Sequence, residues 1–105
     1  MIFENKTDIL NQEIVYIIKE HRTVAKKDLP ELHKLDLLDD YNEIKELLRR
    51  NPFAHVRNNE QLQNYKGMKK ARSMRINGKQ RVVFTVDKTI KTVWIWSAFG
   101  HYNDN

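Results

Sequence analysis

Ser73-Met74-Arg75-Ile76-Asn77-Gly78-Lys79-Gln80-Arg81-Val82-Val83-Phe84-Thr85-Val86 holds two β-rich runs on either side of an Asn-Gly turn signal. The pairing of these runs decides which side chains share a face. A two-residue Asn77-Gly78 turn would pair Ile76 with Lys79, set Met74 opposite Arg81, and split the apolar residues between both faces. Moving the register by one makes Ile76-Asn77-Gly78 the loop, puts Gly78 in a bulge and pairs Arg75 with Lys79. Met74, Val82, Phe84 and Val86 then gather on one face, and burial favours this register over the local turn preference. The opposite face carries Ser73, Arg75, Arg81 and Val83. It brings two guanidinium groups to one side of the sheet, where they can clamp a phosphate.

Working outward, strands are expected over Ala71–Ile76, Gln80–Val86 and Thr92–Ala98, joined as antiparallel hairpins. The last alternates Val93, Ile95 and Ser97 against Trp94, Trp96 and Ala98, and the Trp pair reads as packing or as a partner site. Upstream, Leu37–Arg50 is the clearest helix, with Leu37, Tyr41, Ile44 and Leu48 on one stripe and a stop at Asn51-Pro52. Thr23–His33 is also expected to be helical, with Pro30 near a helix start or at a kink. Ile14–Glu20 is rich in β-branched residues, yet the spacing of Leu10, Ile14, Ile17 and Ile18 also suits a helix. Residues Ala54–Gly67 read as a polar connecting loop that holds Glu60.

The chain has 105 residues, enough for one domain and one core. It contains no cysteine, so disulfides and thiolate metal sites are excluded. Its first residues lack the apolar run of a signal peptide, and no stretch reaches the roughly 18 apolar residues of a membrane span; a cytoplasmic protein is expected. The net charge of +5 is unevenly placed. Residues 1–60 hold ten Lys/Arg against twelve Asp/Glu, whereas residues 61–105 hold nine against two. No acidic side chain lies between Gln61 and Val86, where Lys66, Lys69, Lys70, Arg72, Arg75, Lys79 and Arg81 fall. Such a stretch attracts a polyanion, and Lys66, Lys69, Lys70, Arg72 and Lys79 are candidates for RNA contact. An acidic protein partner or a bare solvated face would account for the same charge.

Several stretches resemble the Txe/YoeB group of the RelE/ParE toxin superfamily. They are Lys26-Lys27-Asp28-Leu29-Pro30-Glu31-Leu32, Glu46-Leu47-Leu48, Asn51-Pro52-Phe53, Asn59-Glu60-Gln61-Leu62, Ser73-Met74-Arg75-Ile76-Asn77, Arg81-Val82-Val83-Phe84 and the closing His101-Tyr102. They follow in the family's order from about Ile14 to Tyr102. The resemblance implies an α+β fold, a small twisted antiparallel sheet of about four strands with two helices on one face. It also makes Ile14–Glu20 a strand, residues 1–13 an N-terminal extension and residues 14–105 a single toxin domain. Its members are toxins of type II toxin–antitoxin pairs that cleave messenger RNA, typically in the ribosomal A site. An acidic antitoxin of the YefM/Axe/Phd kind holds them inactive in a hetero-oligomer. The Trp/Val edge of the last strand and the basic face would suit such a peptide. The chain departs from the pattern at Asn58, Asn59 and Gln61 around the glutamate, at Met74 for a frequent arginine and at Gln80 for a frequent histidine.

Cleavage by the RNA's own 2′-hydroxyl needs a base, cations at phosphorus and an acid for the 5′-oxygen. Glu60 is the candidate base, being the one carboxylate between Arg50 and Asp87. Arg81, which matches the family's catalytic arginine, and Arg75 are the candidate phosphate clamp. His101 is the candidate acid, because histidine ordinarily titrates near neutrality. Tyr102 is suited to stack on a base or orient the phosphate. No metal or cofactor is expected. Two other readings remain open: a superfamily member that poisons a protein target, as in the ParE branch, and a basic RNA-binding module.

Overall fold

The computed structural model describes residues 5–100. Its first element, α1 (Lys6–Leu10), is capped by Asn5, whose side chain accepts the Asp8 N–H at 2.9 Å. Strand β1 (Ile17–Glu20) follows, shorter than the expected Ile14–Glu20. The expected helix over Thr23–His33 is built in two pieces. Val24–Asp28 is a wide π-helical turn that hands over to α2 (Leu29–Lys34), with Pro30 in the first turn. Proline has no N–H to give to the preceding turn, and the wider coil accommodates that loss, with the Leu29 N–H bonding back to the Val24 carbonyl.

Helix α3 (Leu38–Arg50) buries Tyr41, Ile44, Leu47 and Leu48. Asp39 and Asp40 in its first turn and Arg49 and Arg50 in its last complement the helix dipole. Beyond it come β2 (Glu60–Gln61), β3 (Arg72–Arg75), β4 (Arg81–Asp87) and β5 (Thr92–Ser97). The sheet has five strands in the order β1-β5-β4-β3-β2. It is mixed rather than purely antiparallel, because β1 runs parallel to β5, Ile17 pairing with Thr92. The connection between these two runs from residue 21 to residue 91, long enough to return in either direction. Strand β5 is therefore internal, and the expected free Trp/Val edge does not exist; the sheet edges are β1 and β2.

The hairpin faces are as expected, while its register is not. Arg75 pairs with Arg81 instead of Lys79, and Met74 with Val82. Asn77 accounts for the longer loop: its side-chain oxygen takes the N–H groups of Lys79 and Gln80 at 2.8 and 2.7 Å. The slip is two residues, and an even slip leaves every side chain on its own face. Met74, Val82 and Phe84 are fully buried in one cluster with Ile44, Leu48, Val93 and Ile95. On β5 the pairings Val83–Ser97 and Phe84–Ile95 leave Trp96 as the extra residue of a bulge. That break in alternation lets Ala98 join the same core as Ile95.

Of the residues preceding Ile14, the described ones (5–13) pack onto this domain. Ile9 is fully buried in the main core, Lys6 pairs with Glu43 at 3.1 Å, and Arg50 donates to the Gln12 carbonyl at 3.2 Å. The far face of the sheet is covered by the stretch expected to be a plain polar loop. Leu62 and Tyr65 pack there with Ala71 and Val83, flanked by Met68 and Trp96. Its tip is a tight turn in which Lys66 (φ 48°) and Gly67 (φ 81°) are both left-handed and the Met68 N–H reaches the Tyr65 carbonyl at 2.7 Å.

Candidate active site

Three adjacent strands converge on Arg81. Glu60 on β2 faces Ser73 on β3, and Arg75, two residues further along β3, faces Arg81 on β4. Arg81 is only 6% exposed, whereas the Glu60 side chain is 52% exposed. Its Nε donates to the Ser73 hydroxyl at 2.8 Å, and Nη2 reaches the Asn58 carbonyl at 3.2 Å and the Glu60 carboxylate at 3.0 Å. A buried guanidinium held at both ends is a preorganised cation, and the carboxylate beside it is open to solvent. Arg75 donates through Nη1 to the Gly78 carbonyl at 3.3 Å, while its buried Nε has no hydrogen-bond partner among the described residues.

The loop that delivers Glu60 is tied down along its length. Asn59 donates to the Pro52 and Ala54 carbonyls at 2.8 and 2.9 Å and accepts from Arg72 Nε at 3.1 Å. Arg57 reaches Glu43 and Asp40 on α3 and the carbonyls of Arg75 and Ile76 at the end of β3. Neither residue was singled out by sequence reasoning, which treated the Asn pair as a departure from a basic loop. The available signal was the absence of any other charge between Arg50 and Glu60.

The expected RNA-contact residues are not all on one surface. Lys66, Lys69, Lys70 and Lys79 are on or beside exposed turns. Arg72 lies on the opposite face from Ser73 and Arg75, its guanidinium 5.4 Å above the Phe53 ring and bonded to Asn59. Its charge serves the loop's architecture. Trp94 and Trp96 stack with centroids 5.4 Å apart, and Trp96 donates to Thr85 at 2.8 Å. His101 and Tyr102 lie outside the described residues. The chain leading to them is held twice: Asp28 accepts the Ala98 N–H at 3.0 Å, and Gln80, next to Arg81, accepts the Gly100 N–H at 2.8 Å. Burial pushes the Asp28 carboxyl above the usual carboxylate range, although the Ala98 N–H, Lys27 and Lys66 pull it back.

Among the described residues no group of His, Asp or Glu side chains is placed to hold a metal, and no helix is long and apolar enough to cross a membrane. A chain of the YoeB–YefM complex from Staphylococcus aureus superposes with a TM-score of 0.64 at 23% identity, over 83% of this chain and 98% of that one. A chain of the heterotetrameric YoeB–YefM toxin–antitoxin complex from the same organism gives 0.65 at 24%, with the same coverage. The fold is that of a YoeB-type toxin. No family model matches the sequence. No curated protein matches it either. Coverage is nearly complete for the YoeB–YefM chains and lower for this one, so most of the unmatched length belongs to this chain.

Proposed function

We propose that this chain is the toxin of a type II toxin–antitoxin system and an endoribonuclease that cuts messenger RNA, at the ribosomal A site, without a metal. The observation that carries the reading is the 3.0 Å contact between exposed Glu60 and buried Arg81, with Arg75 directly opposite. In this mechanism Glu60 takes the proton of the 2′-hydroxyl, whose oxygen attacks the adjacent phosphorus. Arg81 and Arg75 stabilise the charge that builds on the phosphoryl oxygens. His101 gives a proton to the 5′-oxygen as the P–O5′ bond breaks, leaving a 2′,3′-cyclic phosphate and a 5′-hydroxyl. Tyr102 stacks on a neighbouring base or orients the phosphate.

The chemistry needs a base, a phosphate clamp and an acid, and this chain supplies a residue for each. A target-poisoning protein or a passive RNA binder has no use for a carboxylate set against a buried guanidinium. The lysines at 66, 69, 70 and 79 lend sequence-independent attraction for the RNA and ribosome backbone. An acidic antitoxin of the YefM kind would neutralise the same basic surface, in a hetero-oligomer like those of the YoeB–YefM complexes.

The deciding experiment is translation of a defined message with purified protein, either untreated or stripped with EDTA and desalted before addition, the cuts being mapped by primer extension. Cuts that require translating ribosomes, are unchanged with the stripped protein and disappear in the Glu60→Ala/His101→Ala variant are expected. Cutting that persists in that double variant would overturn the assignment, as would intact message beside wild-type protein.

A further inference from the structure

Arg57 sits in the loop after α3, three residues before Glu60, in a backbone conformation that L-residues avoid. Its φ is 49° and that of Asn58 is 51°, two successive left-handed residues without a glycine. Something must hold the chain there. The Arg57 side chain is 11% exposed and commits all three of its nitrogens. Nε and Nη2 meet Glu43 at 3.1 and 2.9 Å, and Nη2 also meets Asp40 at 3.1 Å. Nη1 donates to the carbonyls of Arg75 and Ile76 at 3.2 and 3.1 Å. The Arg57 carbonyl in turn accepts the Arg75 N–H at 2.7 Å. One side chain thus pins the loop to α3 and to the end of β3 at once.

The next residue shows what that pin controls. The Asn58 carbonyl accepts from the same Arg81 Nη2 that contacts Glu60. Moving the Arg57–Asn58 peptide therefore moves an acceptor of Arg81 and the strand start that carries Glu60. The geometry points to Arg57 as a positioning residue, which locks this loop so that the Glu60 carboxylate and the Arg81 fork meet in a fixed arrangement. It acts through the backbone of Asn58 and through β3. The reach extends to the N-terminal segment, because Lys6 of α1 shares the Glu43 carboxylate at 3.1 Å. Its effect on cleavage rests on the ribonuclease reading above; its effect on the loop does not.

A plain salt bridge with Glu43 would explain the charges but not the geometry. Lysine keeps the charge and cannot reach two carboxylates and two carbonyls from one planar group. Arg57→Lys and Arg57→Ala are therefore compared with wild type in three readouts: thermal midpoint, cleavage kcat and KM, and amide hydrogen exchange. Both variants are expected to stay folded, to lose 10- to 100-fold in kcat with KM within about twofold, and to exchange faster only across residues 57–61 and at the Arg75 amide bonded to them. Full kcat in a folded Arg57→Lys variant would overturn the proposal, as would exchange that quickens equally in β4 and β5. If wild-type protein cuts no message, the ribonuclease reading falls and the exchange pattern alone decides whether Arg57 locks the loop.

Discussion

Arg75 and Arg81 face one another directly across the β3–β4 ladder. Like charges in that position repel, and Glu60 pairs with Arg81 at 3.0 Å. A dianion between them would remove the penalty. Inorganic phosphate should therefore raise the thermal midpoint of wild-type protein, and raise it less in Arg75→Gln. A differential scan with and without phosphate checks this. Equal shifts in both proteins would mean that the pair does not bind it.

Arg81→Lys is expected to lower cleavage kcat by about a hundredfold, since a lysine cannot hold Ser73, Asn58 and Glu60 from one rigid fork. Steady-state cleavage on programmed ribosomes measures it. A loss below about threefold would remove Arg81 from the chemistry.

Gln80→Ala should depress kcat while leaving the thermal midpoint within a few degrees, because Gln80 holds the Gly100 N–H one residue before the proposed acid. Gln80→Glu keeps an acceptor oxygen there and should recover most of the activity. Failure of the glutamate to recover it would show that the bond to Gly100 is incidental.

Two carboxylates give opposite pH dependence. Partial burial pushes Glu43 upward, but its hydrogen bonds from Arg57 and Lys6 outweigh that and hold it below its ordinary value of 4.5. Its contribution is present above that value and is lost as pH falls through the depressed folded pKa. Asp28 is raised by burial, so its ionised form costs stability at neutral pH and that cost fades as pH falls through the raised folded pKa. Asp28→Asn, which keeps an oxygen for the Ala98 N–H, should therefore raise the midpoint at pH 7 and lose that advantage in acid. Denaturant melts at several pH values test both signs.

Ile9→Ala should destabilise the whole domain by about 2–5 kcal/mol, as for other fully buried aliphatic residues. A single cooperative transition, displaced as a unit, would show that α1 folds with the domain. A separate early transition would make it an independent appendage.

Much of this was legible in the sequence. The face assignment of Met74, Val82 and Phe84 against Ser73, Arg75 and Arg81 followed from alternation, which survives an even slip in register. The exact register did not follow, since it rests on the Asn77 side chain capping two N–H groups. The parallel pairing of β1 with β5 was hidden because residue patterns carry no strand direction. The cover formed by Leu62 and Tyr65 was hidden by the polar residues around them. At the site, Glu60 could be picked as the lone carboxylate of its stretch, and Arg81 by its match to the family that the sequence resembles. Arg57 offered only its isolation as a charge, because the partners on α3 and β3 that hold it are distant in sequence.

The parallel strand also fixes an order of assembly. Strand β1 precedes the other four strands along the chain, yet its partner in the sheet is β5, the last of the described strands. Until Thr92–Ser97 emerges, β1 has nothing to pair with and β4 lacks a neighbour on one side. A nascent chain can form α3 and the β3–β4 hairpin early, but the sheet cannot close ahead of translation. The root of the C-terminal tail, held by Asp28 and Gln80, comes later still. Closure of this sheet is thus tied to the synthesis of β5, and a chain interrupted before β5 would lack the strand that joins β1 to β4.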